Sequence, residues 1–240
     1  MTILRAFAAT AAVLVLAGCS LPLPPGPYPT NFVPSPTPSA LGDTAALSPD
    51  GFNAAQRMTV RVRNVGCDSL SVGTGFAVDD HTLVTAGHVV TGSRELEIST
   101  YDGQTFTATA TGTTTVADLA IVKVEQSLTT LGVLADADPT VADAVTIVGY
   151  PRGGRLTTMS AVVITTDPAD VNPDIGPAFG VTASLEPGMS GAPVVDSAGK
   201  VVGVIYGTSE TLPQSFMIPV STLRSLLSQP PILVPEDAAC

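Results

Sequence analysis

Three residues that could cooperate in nucleophilic catalysis stand far apart in the sequence: His88, Asp118 and Ser190. A serine hydroxyl is a weak nucleophile at neutral pH, so it needs a base within hydrogen-bond distance to accept its proton. His88 is the candidate base, because the other histidine, His81, lies in a turn-like, acidic segment. Asp118 begins an apolar run and is the candidate carboxylate that orients the imidazole. We therefore expect His88, Asp118 and Ser190 to form a catalytic triad.

The glycines around Ser190 suit a site that stabilises negative charge. Gly188 can adopt positive φ and direct its N–H group inward. The N–H groups of Gly188 and Ser190 are therefore predicted to form an oxyanion hole. Gly191 lets the chain pass close behind the nucleophile. Each of these residues alone also has an ordinary structural interpretation, such as a turn, so the catalytic interpretation depends on their occurring together.

The composition argues against several other classes of function. The net charge is −11, so the surface repels phosphate backbones and nucleic acid is not an expected partner. The chain has only two histidines, and no cluster of residues has the spacing of zinc ligands. We expect no metal and no cofactor.

Residues 1–18 have the pattern of a bacterial signal peptide. Arg5 supplies the positive charge, and the apolar stretch Ala6–Leu16 is too short to span a bilayer. The stretch ends in Leu16-Ala17-Gly18-Cys19, which resembles the lipobox, so Cys19 is predicted to carry diacylglycerol. The protein would then be extracytoplasmic and held on the outer face of the cell membrane, or on the periplasmic side of the envelope. The alternative is an ordinary secretory signal with an incidental cysteine.

A proline-rich linker is predicted over residues 19–56. Nine of the 21 prolines lie between Pro22 and Pro49, and such a composition favours extended coil over a packed core. From Met58 onward, short runs rich in Val, Ile and Thr alternate with Gly, Asp, Asn and Pro. This pattern is typical of an all-β barrel or sandwich. One helix is predicted near the end, where Leu223, Leu226 and Leu227 have helical spacing.

Six motifs resemble those of the trypsin-like, chymotrypsin-fold serine peptidases. They are Gly73–Phe76, Thr85–His88, Asp118–Ala120, Gly188–Pro193, Gly199–Val204 and Ser215–Pro219. The order His, Asp, Ser is that of the chymotrypsin group and differs from the orders in subtilisin and the α/β-hydrolases. The likeness is greatest to compact bacterial types, namely the high-temperature-requirement proteases and the actinobacterial membrane serine proteases.

This resemblance implies two six-stranded antiparallel β-barrels and a short C-terminal helix, with the site between the barrels. The domain is expected over 57–229, with barrels at about 57–127 and 128–218 and a tail at 230–240, which is too short for a PDZ domain. Met189 stands where digestive members carry an Asp, which argues against activation by a new N-terminus. The expected substrates are proteins or peptides. Two alternatives stay open, namely an esterase that uses the same triad and a non-catalytic surface-binding protein that keeps the fold.

The resemblance also implies a substrate pocket and a disulfide. Val204, Tyr206 and Phe216 are expected to line the pocket, which would favour a small or medium apolar side chain. If Cys19 carries lipid, Cys67 and Cys240 remain in an oxidising compartment, and the actinobacterial relatives likewise pair an early cysteine with one near the C-terminus. A Cys67–Cys240 disulfide is therefore expected, the alternative being a buried Cys67 and an unpaired terminal Cys240.

Overall fold

A computed structural model describes residues 50–113, 117–166, 178–209, 212–228 and 234–235. The predicted signal peptide, Cys19, nearly all of the linker and Cys240 lie outside the described residues. No helix in the described part of the chain is both long enough and apolar enough to cross a membrane.

Six antiparallel strands close into a first barrel: β1 Thr59–Val65, β2 Leu70–Asp79, β3 Thr82–Ala86, β4 Glu95–Ser99, β5 Thr105–Thr113 and β6 Leu119–Val124. They pair in the ring order β1, β2, β3, β6, β5, β4, and β4 returns to β1. Runs of Val, Ile and Thr favour these strands because their branched side chains pack well on a pleated surface.

Six further strands close a second barrel: β7 Ala144–Gly149, β8 Thr157–Thr165, β9 Phe179–Val181, β10 Pro193–Val195, β11 Val201–Thr208 and β12 Ser215–Pro219. Their ring order is β7, β8, β9, β12, β11, β10. A short strand β13, Val234–Pro235, pairs with β5 of the first barrel. The predicted fold, two six-stranded antiparallel barrels of the chymotrypsin type, is confirmed.

Three helices accompany the barrels: α1 Ala54–Met58, α2 Gly87–Val90 and α3 Val220–Ser228. The helix expected near the C-terminus is α3. Helix α1 lies partly in the range that the sequence assigned to the linker, because Asn53 and Gln56 form a capping box and Ala55 and Met58 are buried. Helical structure is therefore present before position 57, where the peptidase domain was expected to begin.

Buried apolar side chains form one cluster inside each barrel and a third cluster between them. The third cluster joins Phe76, Val84 and Leu119 of the first barrel to Val148 and Ile218 of the second. Burial of this apolar surface fixes the two barrels against each other. The segments that carry His88, Asp118 and Ser190 meet along this contact.

Candidate active site

The pairing of β3 with β6 brings His88 next to Asp118. Ala86, the last residue of β3, is in register with Leu119, the first residue of β6. His88 follows two residues after Ala86 in helix α2, and Asp118 immediately precedes Leu119. The antiparallel register thus places the two side chains at the same end of one strand pair.

Both carboxylate oxygens of Asp118 contact His88. Oδ2 lies 2.5 Å from the ring Nδ1, and Oδ1 accepts a hydrogen bond of 2.8 Å from the His88 backbone N–H. A Cβ atom on Gly87 would lie 2.6 Å from Asp118 Oδ1, so a glycine is needed where the carboxylate approaches the chain. Asp118 is about one-fifth exposed and His88 about half exposed, which leaves the imidazole accessible to solvent. A carboxylate on Nδ1 fixes the tautomer in which Nε2 can accept a proton.

Ser190 lies in the connection from β9 to β10 and meets the first barrel at the end of β3. A Cβ atom on Gly191 would lie 2.0 Å from the Thr74 carbonyl oxygen and 2.9 Å from the Ala86 nitrogen. The chain at Ser190–Gly191 therefore packs directly against the strand that leads to His88. Within the described residues, the Ser190 hydroxyl forms no hydrogen bond with His88.

The four carbonyl groups of the loop Pro187–Ser190 are all hydrogen-bonded. The Pro187 carbonyl accepts from Arg152 N–H (2.6 Å), and the Gly188 carbonyl accepts from Thr74 Oγ1 (2.7 Å). The Met189 carbonyl accepts from Ala192 N–H (2.9 Å), and the Ser190 carbonyl accepts from Thr74 N–H (2.8 Å). These bonds fix the orientation of every peptide plane in the loop.

The N–H groups of Gly188 and Ser190 donate no hydrogen bond to any residue that the structure describes. In a trans peptide the N–H group points opposite to the carbonyl of the preceding residue, and the described part of the chain holds no cis peptide bond. Fixing the Pro187 and Met189 carbonyls therefore turns the N–H groups of Gly188 and Ser190 the other way. The φ of +95° at Gly188 is one that glycine adopts readily.

A turn of the second barrel supports this loop. Residues Pro151–Gly153 form a short 3₁₀ turn in which Arg152 has a φ of +53°. The Arg152 side chain also pairs with Glu186, with Nε 3.2 Å from Oε2 and a second contact of 3.3 Å to Oε1. Both side chains are more than half exposed, so water screens their attraction. The backbone hydrogen bond from Arg152 to Pro187 is the firmer connection.

The three expected pocket residues differ in accessibility. Val204 is fully buried and packs in the core cluster between the barrels, together with Tyr206. Phe216 is half-buried, and its ring stacks on that of Tyr206 with centroids 6.1 Å apart. Burial, together with the negative charge of Asp118, raises the pKa of Tyr206 to about 12, so the phenol is neutral at physiological pH. Of the three side chains, Phe216 offers the most surface to a ligand.

Thr74 was not predicted as a site residue. In the sequence it belongs only to the motif Gly73–Phe76, whereas in the structure its backbone and hydroxyl contact the Ser190 loop. The signal that was present in the sequence is a threonine between two glycines, Gly73 and Gly75. Among the described residues, no group of three or more His, Cys, Asp or Glu side chains could hold a metal ion.

Several bacterial proteases are similar to this chain in sequence. Serine protease Rv3671c of Mycobacterium tuberculosis is 30% identical over 185 residues, which cover 72% of this chain and 45% of that protein. A probable periplasmic DegP-like serine endoprotease of Hahella chejuensis is 30% identical over 168 residues, covering 68% and 36%. The chain thus spans less than half the length of these two relatives.

The fold comparison agrees with the sequence comparison. The crystal structure of the active form of the Rv3671c protease matches with a TM-score of 0.65 and 26% identity, covering 73% of this chain and 81% of that one. The family model described as a trypsin-like peptidase domain matches residues 73–204, a range that includes His88, Asp118 and Ser190. On this match, and on the two closed barrels that carry it, the chain belongs to the trypsin-like peptidase family.

Proposed function

We propose that this protein is a serine endopeptidase that hydrolyses peptide bonds through His88, Asp118 and Ser190 and an acyl-enzyme. The observation that carries the proposal is the hydrogen-bonded His88–Asp118 pair at the end of β3, against which the Ser190–Gly191 segment packs. Base, orienting carboxylate and hydroxyl thus come from two barrels that a shared apolar core fixes in place.

In the acylation step, Ser190 Oγ attacks the carbonyl carbon of the scissile peptide bond while His88 Nε2 accepts its proton. The carboxylate of Asp118 on Nδ1 stabilises the imidazolium that forms. The imidazolium then returns the proton to the leaving amine nitrogen as the carbon–nitrogen bond breaks. A water molecule attacks the resulting ester by the same route, and the acid product and Ser190 are released.

The negative charge that develops on the substrate oxygen needs donors that are already oriented. The N–H groups of Gly188 and Ser190 are free of other partners in the described part of the chain. The orientation of each N–H group is set by the hydrogen-bonded carbonyl of the same peptide plane, Pro187 for the Gly188 N–H and Met189 for the Ser190 N–H. Such preorganised donors contribute the largest electrostatic part of catalysis in many acyl-transfer enzymes.

One observation favours a second candidate, a surface-binding protein that keeps the fold without catalysis. The Ser190 hydroxyl forms no hydrogen bond with His88 among the described residues, although a triad requires that bond in the substrate complex. In unliganded proteases such bonds are often long and tighten when substrate binds. The free oxyanion donors favour the peptidase over this alternative.

Labelling by a fluorophosphonate probe separates the two candidates, because only an activated serine reacts. The wild-type protein should become labelled and hydrolyse casein, whereas Ser190→Ala should do neither. Ser197→Ala is the matched control, since Ser197 is an exposed serine on the same barrel, away from the Ser190 loop. Absence of labelling in a folded wild-type protein would favour the binding protein.

We further propose that the peptidase is extracytoplasmic and anchored by a lipid on Cys19. Support comes from the Leu16-Ala17-Gly18-Cys19 sequence behind a short apolar run. The DegP-like relative of Hahella chejuensis is likewise named as a probable periplasmic endoprotease. Mass spectrometry of the mature N-terminus tests this proposal: diacylglycerol on Cys19 is expected, and an unmodified terminus at another residue would contradict it.

We also propose a Cys67–Cys240 disulfide. Strand β13 pairs with β5, so the end of the described chain returns to the first barrel, and Cys67 is an exposed residue of that barrel. Thiol titration of the unfolded protein without reductant should detect neither Cys67 nor Cys240, and two reactive thiols would exclude the bridge. By the chain-entropy model, closing so long a loop stabilises by at most roughly 5 kcal/mol.

The substrate preference follows from the surface that remains accessible. The half-buried Phe216 ring would provide an apolar wall for the substrate pocket. Glu186, the acidic residue directly before the loop Pro187–Ser190, is paired with Arg152 and is therefore not free to bind a basic substrate side chain. We propose preference for a small or medium apolar P1 side chain over Arg or Lys. Cleavage of a peptide library, read by mass spectrometry, tests this preference, and dominant cleavage after basic residues would contradict it.

A further inference from the structure

We propose that Thr74 is a positioning residue that holds the loop Pro187–Ser190 in the orientation needed for catalysis. This inference rests on the proposed peptidase function. Thr74 lies on β2 of the first barrel and is fully buried. Its side chain and backbone nevertheless bond to two separate segments of the second barrel, the Ser190 loop and the end of β7.

The Thr74 hydroxyl connects two backbone groups of the second barrel. Its oxygen accepts a hydrogen bond of 3.0 Å from the Tyr150 N–H, and it donates one of 2.7 Å to the Gly188 carbonyl. A hydroxyl has a single hydrogen, and the Tyr150 N–H occupies one of its lone pairs. The hydroxyl hydrogen is therefore directed at Gly188.

The backbone of Thr74 fixes the other end of the same loop. Its N–H donates to the Ser190 carbonyl (2.8 Å), and its own carbonyl accepts from Thr85 Oγ1 (2.6 Å). Thr74 thus holds the carbonyls of Gly188 and Ser190, which flank the peptide plane between Met189 and Ser190. That plane carries the Ser190 N–H, one of the two proposed oxyanion donors.

Removal of the hydroxyl would release one side of this loop. Replacement by valine keeps the shape of the side chain but leaves the Gly188 carbonyl and the Tyr150 N–H buried without a partner. Gly188 has no Cβ to restrain it, so the peptide after it can rotate to find another donor. The Gly188–Met189 peptide lies between the two peptide planes that carry the Gly188 and Ser190 N–H groups, so its rotation would shift both proposed oxyanion donors. Serine in place of threonine would keep both hydrogen bonds.

The test compares Thr74→Val with Thr74→Ser in the full mature protein. We expect Thr74→Val to lower kcat by about 10- to 100-fold, less than the loss of an oxyanion donor itself, with KM changed by less than about threefold. Affinity for a peptide aldehyde, which mimics the tetrahedral intermediate, should fall in parallel with kcat/KM. Thr74→Ser should stay within about threefold of the wild type in kcat because it restores the hydroxyl.

Thr59→Val is the matched control for the loss of a buried hydroxyl. Thr59 lies fully buried on β1 of the same barrel and donates a hydrogen bond of the same length, 2.7 Å, to the Ala55 carbonyl. It should lower the melting temperature as Thr74→Val does, while kcat and aldehyde affinity stay unchanged. If Thr74→Val also keeps its kcat, or if Thr74→Ser is as impaired as Thr74→Val, the proposal is overturned.

A crystal structure of Thr74→Val provides a measurement that does not depend on activity. The Gly188–Met189 peptide should be rotated from its wild-type orientation, and it should be unchanged in Thr74→Ser. An unchanged loop in Thr74→Val would overturn the positioning role whether or not the protein is a peptidase. A wild-type protein that hydrolyses no peptide would instead contradict the proposed function, and the loop orientation would still decide the role of Thr74.

Discussion

The two halves of the site are held in different ways. His88 and Asp118 belong to one barrel, follow two adjacent strands and bond to each other directly. Ser190 belongs to the other barrel, and its loop is fixed by groups outside its own strands, Thr74 of the first barrel and Arg152 of a neighbouring turn. The candidate base is thus assembled within one barrel, whereas the candidate nucleophile is oriented at the contact between the two barrels.

This difference indicates where the site is sensitive. Substitutions that affect β3 or β6 should disturb the base, and substitutions at the contact between the barrels should disturb the nucleophile and the oxyanion donors. The hydrogen bonds made by Thr74 cross that contact, so they form only when the barrels are docked. Docking of the barrels is therefore part of the assembly of the site as well as of the fold.

The largest effect is expected from breaking the first half at Asp118. Asp118→Asn should lower kcat by about 10⁴-fold, because an amide that donates to Nδ1 favours the tautomer in which Nε2 cannot accept a proton. Steady-state kinetics with a peptide substrate measure this loss. Asp80→Asn is the matched control at the exposed Asp80–His81 pair and should leave kcat unchanged. Equal losses in the two variants would contradict the role of Asp118.

A smaller loss is expected from breaking the second half at Gly191. In Gly191→Ala the new Cβ would lie 2.0 Å from the Thr74 carbonyl oxygen, so the loop must move away from the first barrel. A shift of about 1 Å at a catalytic group costs on the order of 10²-fold in rate. Fluorophosphonate labelling rates and melting temperature should both fall.

Gly199→Ala separates this steric effect from backbone strain. Gly191 has a φ of +84° and Gly199 a φ of +76°, but a Cβ atom on Gly199 would meet no atom within 4 Å. Gly199→Ala should therefore lose about 1–2 kcal/mol of stability and keep its labelling rate. If it loses labelling as Gly191→Ala does, contact with the first barrel is not the cause.

The third prediction concerns the stability of the folded protein at alkaline pH, where the buried tyrosines Tyr150 and Tyr206 titrate. Burial raises the pKa of Tyr150 to about 12. Burial, together with the negative charge of Asp118, raises the pKa of Tyr206 to about 12 as well. Between about pH 10 and 12, both phenols therefore stay neutral in the folded protein but ionise in the unfolded chain. The contribution of the two tyrosines to the free energy of unfolding is complete below about pH 10 and is lost as the pH rises to about 12. The loss is no more than about 1.4 kcal/mol per pH unit for each tyrosine.

Urea unfolding of the wild type and of the double variant Tyr150→Phe, Tyr206→Phe measures this contribution. The double variant should lose less stability than the wild type between pH 10 and 12. At neutral pH, Tyr150→Phe alone should change the free energy of unfolding little, because the buried Tyr150 hydroxyl has no hydrogen-bond partner in the described part of the chain. Parallel pH profiles for the wild type and the double variant would contradict the prediction.

The smallest effect is expected at the Arg152–Glu186 ion pair. Arg152→Ala removes the exposed side chain but keeps the backbone N–H that holds the Pro187 carbonyl. Exposed pairs contribute about 0–1 kcal/mol, so kcat should change by less than about threefold. Glu186→Gln should behave similarly. A large loss of kcat in both variants would mean that the side chains, and not the backbone, orient the loop.

The sequence predicted the first half of the site more completely than the second. Short motifs indicated His88, Asp118 and Ser190 as candidates, the strand pattern indicated an all-β barrel or sandwich, and the family resemblance implied the two barrels. Strand β3 before His88 has no alternation of apolar and polar exposure that could mark it in the sequence, because its five residues are all buried. A threonine between two glycines was visible in the sequence, but the role of Thr74 could not be predicted from it, because its side chain bonds to a residue 114 positions away.

Strand β13 has a consequence for solubility. Residues Gly112 and Thr113 of β5 pair with β6 on one edge, and on the other edge, beyond the end of β4, they pair with β13. Without β13 that edge would present unpaired N–H and C=O groups, which recruit strands from other molecules. The two residues of β13 thus protect the first barrel from edge-to-edge aggregation, a role separate from that of the candidate site.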